Sequence, residues 1–252
     1  MSVKDTTLAL GVHDLSVDFG GFRALDKVSL SVPQSERRAI IGPNGAGKTT
    51  LLQAVSGALR TSQGRIELFG EDVSRLAEHE RARCGIGRTF QITKLFPRLS
   101  IMDNLRLAFF GMSRSKWVIH RPVERHADVT TQVREYLAQI GLEHRGGEFV
   151  ANLSHGEQRQ VELAVALATG PRILLLDEPA AGLAPAERGA MQKLITEVPR
   201  TTTIVMIEHN MDLVFAMADV VTVLHQGRVL AEGTPASVRE NSDVRRVYFS
   251  GG

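Results

Sequence analysis

The sequence predicts an α/β fold in which a mixed, largely parallel core sheet is joined by an N-terminal antiparallel β subdomain and a helical subdomain. Short apolar or alternating runs recur at residues 8–19, 38–41, 173–176, 203–207 and 220–224, with helical patterns between several of them. Strand-like pieces at 28–32 and 65–68 alternate with the breakers Gly20-Gly21, Pro33 and Gly64, the punctuation of hairpins. Between residues 100 and 147 the β signals stop, and Val133, Leu137 and Ile140 fall at helical spacing in a polar background.

Composition narrows what such a fold does. With 252 residues, 43% of them hydrophobic and 23% charged, the chain is too apolar to be disordered. Its length suits one domain, expected over residues 8–249 with a helical insert at 92–160 and a tail at 250–252. Thirty basic residues against 28 acidic ones leave a charge of +2 with no basic cluster, so no nucleic-acid partner is expected. No run approaches the length of a membrane span and no charged-then-apolar leader opens the chain, from which a cytoplasmic location is expected. The single cysteine, Cys84, excludes an internal disulfide and a multi-thiolate zinc site. Residues 111–123, with Arg114, Lys116, Trp117 and Arg121, read either as a membrane-facing amphipathic piece or as a solvated loop. Residues 233–252 read as one short helix and a loose end.

The strand at 38–41 leads into Gly42-Pro43-Asn44-Gly45-Ala46-Gly47-Lys48-Thr49, and a helix is expected to start at Thr50. This is a P-loop in both spacing and context. Glycines let backbone N–H groups converge on phosphate oxygens, and the helix that follows aims its positive end at the same point. Lys48 adds a full charge, worth about 4 kcal/mol at 4 Å and an effective dielectric of about 20. The Thr49 hydroxyl is a ligand for Mg²⁺. Residues 42–50, Thr50 included, form the candidate triphosphate cradle.

The strand at 173–176 is wholly apolar, as a strand covered on both faces requires, and it ends in Asp177-Glu178-Pro179. Ligands of open α/β sheets bind at that carboxyl edge, so Asp177 is placed to hold Mg²⁺ and Glu178 to reach an attacking water. Pro179 stops the ladder and frees Glu178 to turn toward the site. Upstream, Leu153-Ser154-His155-Gly156-Glu157-Gln158 contains a capping box, Ser154 with Glu157, that opens a helix carrying Val161, Val165 and Ala168. A capped helix start is a second place for an anion to bind.

Leu153-Ser154-His155-Gly156-Glu157-Gln158 also resembles the LSGGQ signature of ABC-type ATPases, and further family positions follow in order over roughly residues 8–249. The resemblance implies ATP and Mg²⁺ as cofactors and a head-to-tail pair of ATPase chains, identical or paralogous. Each nucleotide would lie between one chain's P-loop and the other's Ser154, Gly156 and Glu157. Gln91 resembles the Q-loop glutamine that senses Mg²⁺ and couples to the membrane partner. His209 resembles the switch histidine at the γ-phosphate, making it a catalytic candidate beside Glu178 and Lys48. Phe19 resembles the aromatic that stacks on adenine, with Phe22 as its rival.

Two positions depart from the family pattern: His155 replaces a glycine, and Ala184 replaces an aspartate. Arg88-Thr89-Phe90-Gln91, residues 177–183 and Ala231-Glu232-Gly233-Thr234-Pro235 are most similar to branched-chain amino acid importers. Urea or amide importers and the lipopolysaccharide-export ATPase are alternatives within the family, and a soluble ABC ATPase acting on nucleic acid lies outside transport. The resemblance implies separate transmembrane permease subunits, an extracytoplasmic solute-binding protein, and a peripheral position on the inner face of the plasma membrane.

Overall fold

The computed structural model describes residues 7–89, 95–112 and 127–249. Its contacts divide the chain into two compact units, one of residues 1–88, 172–178 and 199–252 and the other of residues 89–171 and 179–198.

The first unit holds two sheets. Strands β1 (Leu8–Phe19) and β2 (Phe22–Pro33) form an antiparallel hairpin closed by Gly20 and Gly21, both at positive φ as a tight two-residue turn demands. They continue through β4 (Gln63–Leu68) to the short β5 (Glu71–Asp72), giving the order β2-β1-β4-β5.

The second sheet contains β3 (Arg37–Ile41), β6 (Ile86–Arg88), β7 (Ile173–Asp177), β8 (Thr203–Ile207), β9 (Val220–His225) and β10 (Arg228–Gly233). Their order is β10-β9-β3-β8-β7-β6, parallel except for the β9–β10 hairpin. β3, β7 and β8 are buried at every position, which explains why β7 and β8 are apolar apart from Asp177 and Thr203 at their ends. β3 opens with two buried charges, Arg37 and Arg38, of which Arg38 is the more deeply buried. It is 2% exposed and is accepted in the sheet because Glu36 Oε1 takes its Nε–H at 2.6 Å and Thr222 takes an Nη1–H at 2.9 Å.

One apolar core joins both sheets, with Leu10, Leu15, Leu25, Ile40, Ile66, Leu175 and Leu224 among its members. Around it lie α1 (Lys48–Ser56), α2 (Glu78–Arg83), α7 (Met211–Met217), α8 (Pro235–Glu240) and α9 (Ser242–Phe249). Two expectations are corrected. The P-loop helix begins at Lys48 rather than Thr50, because left-handed Gly47 serves as its cap. The C-terminal segment forms two helices rather than one. The Asn241 side chain accepts from the N–H groups of Asp243 and Val244 at 2.9 and 3.1 Å, so the chain breaks after Glu240 and restarts.

The second unit is helical: α3 (Ile101–Met112), α4 (Ala127–Gln139), α5 (His155–Ala168) and α6 (Pro185–Glu197). Ile101, Leu105, Val133, Leu137, Leu153 and Val161 make its core. Val133 and Leu137 lie four residues apart on one face of α4, where the sequence spacing puts them. Among the described residues no helix is long and apolar enough to cross a membrane.

Candidate functional site

Three neighbouring strands of the first unit bring the predicted phosphate and acid residues to one edge. β3 ends at the P-loop, β8 beside it leads to His209, and β7 beyond that ends in Asp177 and Glu178. Gly42, Gly45 and Gly47 all have positive φ. A Cβ on Gly42 would stand 2.2 Å from the Leu224 carbonyl oxygen, and one on Gly47 2.8 Å from that of Ala24, so both positions exclude a side chain.

The Lys48 ammonium donates to the carbonyls of Gly42 and Pro43 at 2.8 and 3.0 Å, closing the loop on itself. Burial lowers its pKa, opposed by the negative charges of Glu178 and Asp177. Ala46 O accepts from the Gly227 N–H at 3.1 Å, and Gly227 O in turn accepts from Asp26 N–H at 2.9 Å, so the β9–β10 turn braces the loop from outside. No side chain caps α1, which leaves first-turn N–H groups to an anion.

At the acidic edge, Asp177 is 1% exposed and lies 3.9 Å from Arg88 Nη2. Arg88 also donates from Nη1 to Ser56 Oγ at 2.7 Å, tying the last turn of α1 to the carboxylate strand. Burial pulls the Arg88 pKa down, with the Asp177 charge opposing. Glu178 is left-handed, φ 50°, which for a non-glycine residue costs roughly 1–2 kcal/mol and turns its side chain off the line of the strand. That side chain meets His209, Oε1 to Nε2 at 2.7 Å. Glu208, buried beside it, accepts the N–H groups of His209 and Asn210 at 3.0 and 3.3 Å, and Asn210 caps α7 through the Leu213 N–H. The imidazole thus projects from a fixed strand-to-helix corner. Phe19 and Phe22 pair across the hairpin tip and are 47% and 66% exposed.

The second unit carries the signature residues. Ser154 caps α5, its Oγ accepting from Glu157 N–H at 3.2 Å while Glu157 Oε2 accepts from Ser154 N–H at 2.8 Å. Burial of the Glu157 carboxyl would raise its pKa, but the Ser154 N–H and the ion pair with Arg145 hold it below the usual range. Gly156 leaves room for Glu187, whose Oε1 would stand 2.3 Å from a Cβ at 156 and would have to move aside. Glu187 Oε2 accepts the Ala184 N–H at 2.9 Å, one half of a capping box; the other half, an acceptor at 184 for the first-turn N–H groups, is lost with the aspartate. His155 faces the backbone at Gly182, 3.6 Å from where its Cβ would be. Gln91 and the segment containing Trp117 lie outside the described residues.

Arg81, Arg88, Glu208 and Gly227 are site supports that the sequence reading assigned no role. Arg88 alone had a signal, its place in Arg88-Thr89-Phe90-Gln91. Arg81 is 2% exposed and donates to the carbonyls of Ala54, Val55, Ser74 and Leu76 at 2.7 to 3.1 Å, closing the C-terminus of α1 with a positive charge.

A glycine-lined phosphate loop at one strand end, with a carboxylate pair and an imidazole at the next two, defines a P-loop nucleotide-binding hydrolase. A family model described as ABC transporter matches residues 25–181, and another, branched-chain amino acid ATP-binding cassette transporter, matches residues 228–249. The high-affinity branched-chain amino acid transport ATP-binding protein LivG of Escherichia coli K12 is 37% identical over 247 residues, covering 95% of this chain and 97% of that one. BraF of Pseudomonas aeruginosa, of the same description, is 37% identical over 249 residues with the same shares covered. The crystal structure of an ATP-binding cassette of an ABC transporter in its ADP conformation is 29% identical with TM-score 0.85, covering 98% of this chain and all of the other. A nucleotide-free cassette is 28% identical with TM-score 0.84, covering 96% and 99%. The chain belongs to the ABC transporter family and is an ATP-binding, ATP-hydrolysing member of it.

Proposed function

We propose that this chain energises import of branched-chain or related amino acids through separate permease subunits, from the inner face of the plasma membrane. The subfamily match at residues 228–249 and the described activity of LivG and BraF support the cargo class. An extracytoplasmic solute-binding protein completes the assembly, and residues 8–249 act as one ATPase domain.

In this reading the P-loop N–H groups and Lys48 hold the ATP phosphates. Thr49 and Asp177 supply hard oxygen ligands for Mg²⁺, with Gln91 as a third. Mg²⁺ needs only one or two protein carboxylates beside the phosphates, and a single buried aspartate suits it. When bound, the ion neutralises charge on the β- and γ-phosphates. Glu178 takes a proton from water as the water oxygen attacks the γ-phosphorus, and the bond to the β–γ bridging oxygen breaks to leave ADP. His209 orients Glu178 and faces the γ-phosphate. Phe19 stacks on adenine. Ser154, Gly156 and Glu157 of a second copy or a paralogue close over the nucleotide, so that ATP favours the paired state and hydrolysis releases it.

The contact between Glu178 and His209 is the observation that carries the hydrolytic reading, because it joins a base and its orienting group at the strand edge beside Lys48. Glu178→Gln is expected to bind ATP normally, lose at least about 10²-fold in turnover, and pair stably in magnesium ATP. Turnover near that of the native chain removes Glu178 from the role. Failure to pair, with itself or a paralogue, removes the dimer.

A further inference from the structure

The first unit has a cavity away from the phosphate edge. It measures about 380 Å³, within the range of about 300–1,000 Å³ typical of small-molecule sites, and lies among α7, α8 and α9. Met211, Phe215, Val238 and Val244 form its apolar wall. Arg239, Arg245 and Asp212 bring charge to the same space. Among the described residues none of these three has an ion-pair partner, although Asp243 next to them is taken by Arg246 at 3.4 Å. Arg239 rests its guanidinium over the Phe215 ring at 5.8 Å. Arg239, Arg245 and Asp212 are exposed and stand at its rim, and Glu240 borders the adjoining groove with both arginines, so charges of both signs surround an apolar floor.

From these groups we infer a binding site for a small zwitterion with an apolar side chain, an aliphatic amino acid. Its carboxylate meets Arg245 and Arg239, its ammonium meets Asp212, and its side chain lies on Val238, Val244 and Met211. A fatty acid or a phosphate ester would satisfy the arginines but leave Asp212 facing like charge. A basic ligand would meet two cations.

The cavity is joined to the chemistry through α7. Met211 opens α7 directly after His209 and Asn210, and α7 starts from the Asn210 cap. At the other end, Tyr248 of α9 lines the cavity. A ligand that ties α7 to α9 therefore braces the strand-to-helix corner that carries the imidazole. Resting on the amino-acid reading of the cargo, this site lets the imported product act back on hydrolysis from the inside.

The test uses the purified full chain without membranes. Equilibrium dialysis of leucine is expected to show saturable binding, weakened about tenfold or more by Arg245→Gln and by Asp212→Asn, as loss of a charged hydrogen bond predicts. Leucinol, lacking the carboxylate, and 4-methyl-2-oxopentanoate, lacking the ammonium, are expected to bind at least about tenfold more weakly. Circular dichroism and retained ATP binding confirm that each variant is folded. Absence of saturable leucine binding at millimolar concentrations in the native chain overturns the site. So does equal binding by leucinol, by the oxo acid or by both variants. Because no permease is present, this result is separate from the cargo reading, which fails only if the reconstituted transporter carries something other than amino acids.

Discussion

Arg81→Met tests whether a buried guanidinium holds the phosphate helix in place. Arg81 gives up four hydrogen bonds to carbonyls, two of them, Ala54 and Val55, in the last turn of α1. At about 1 kcal/mol net for each bond the gross loss is near 4 kcal/mol. Methionine removes the cost of burying the charge, a cost visible in the lowered pKa of Arg81, which brings the expected loss to about 2–4 kcal/mol. For a chain of this size each kcal/mol moves Tm by roughly 2–4 °C, so a fall of roughly 5–15 °C is expected. Arg83→Met on the exposed side of the same helix is the control, and its Tm should move by about 2 °C at most. Differential scanning calorimetry of both, without nucleotide, decides the matter. Equal Tm values would mean that α1 is held by apolar packing alone and that the four carbonyls find water when the guanidinium is gone.

Gly47→Ala places a methyl 2.7 Å from Leu25 Cδ2 at φ 99°, and should abolish nucleotide binding in a fluorescence assay while Gly189→Ala in α6, with open space around it and no positive φ, leaves binding intact. Gly156→Ala should displace Glu187 and cost the bond to Ala184 N–H, about 1 kcal/mol; added to Glu187→Ala it should cost little more, which a double-mutant cycle by urea denaturation reads directly. Burial raises the pKa of both tyrosines, Tyr248 to about 12. The folded state therefore keeps protons that the unfolded chain gives up near pH 10, so stability is complete below pH 10 and falls from there toward 12. Tyrosinate absorbance should appear late in native protein, and Tyr248→Phe should reduce the loss of stability in that window.

Residues whose partners are close in sequence were legible, and those supported from afar were not. The P-loop, the Ser154–Glu157 capping box and the apolar strand ending in Asp177 each state their geometry within a few residues. Arg81 and Arg88 look like ordinary surface charges until folding sets them against carbonyls, Ser56 and Asp177. Arg38 opens a strand that reads as apolar, and its burial depends on Glu36, Thr222 and Glu232. β6 has only three residues, too few for a period to register. The break between α8 and α9 was present in the sequence as Asn241-Ser242-Asp243, a capping signal outweighed by the short length of the segment.

The strand that carries the P-loop takes both of its neighbours from the last quarter of the chain: Arg37 lies beside Ile204 and Arg38 beside Val220. During synthesis at roughly 5–20 residues per second, β3 leaves the ribosome long before either partner exists. The intervening helical segment must emerge first, so the strand behind the phosphate loop waits for its sheet until translation is nearly finished. A message cut short after residue 200 would yield a polypeptide with its most recognisable motif intact and the strand that leads into it unpaired on both edges.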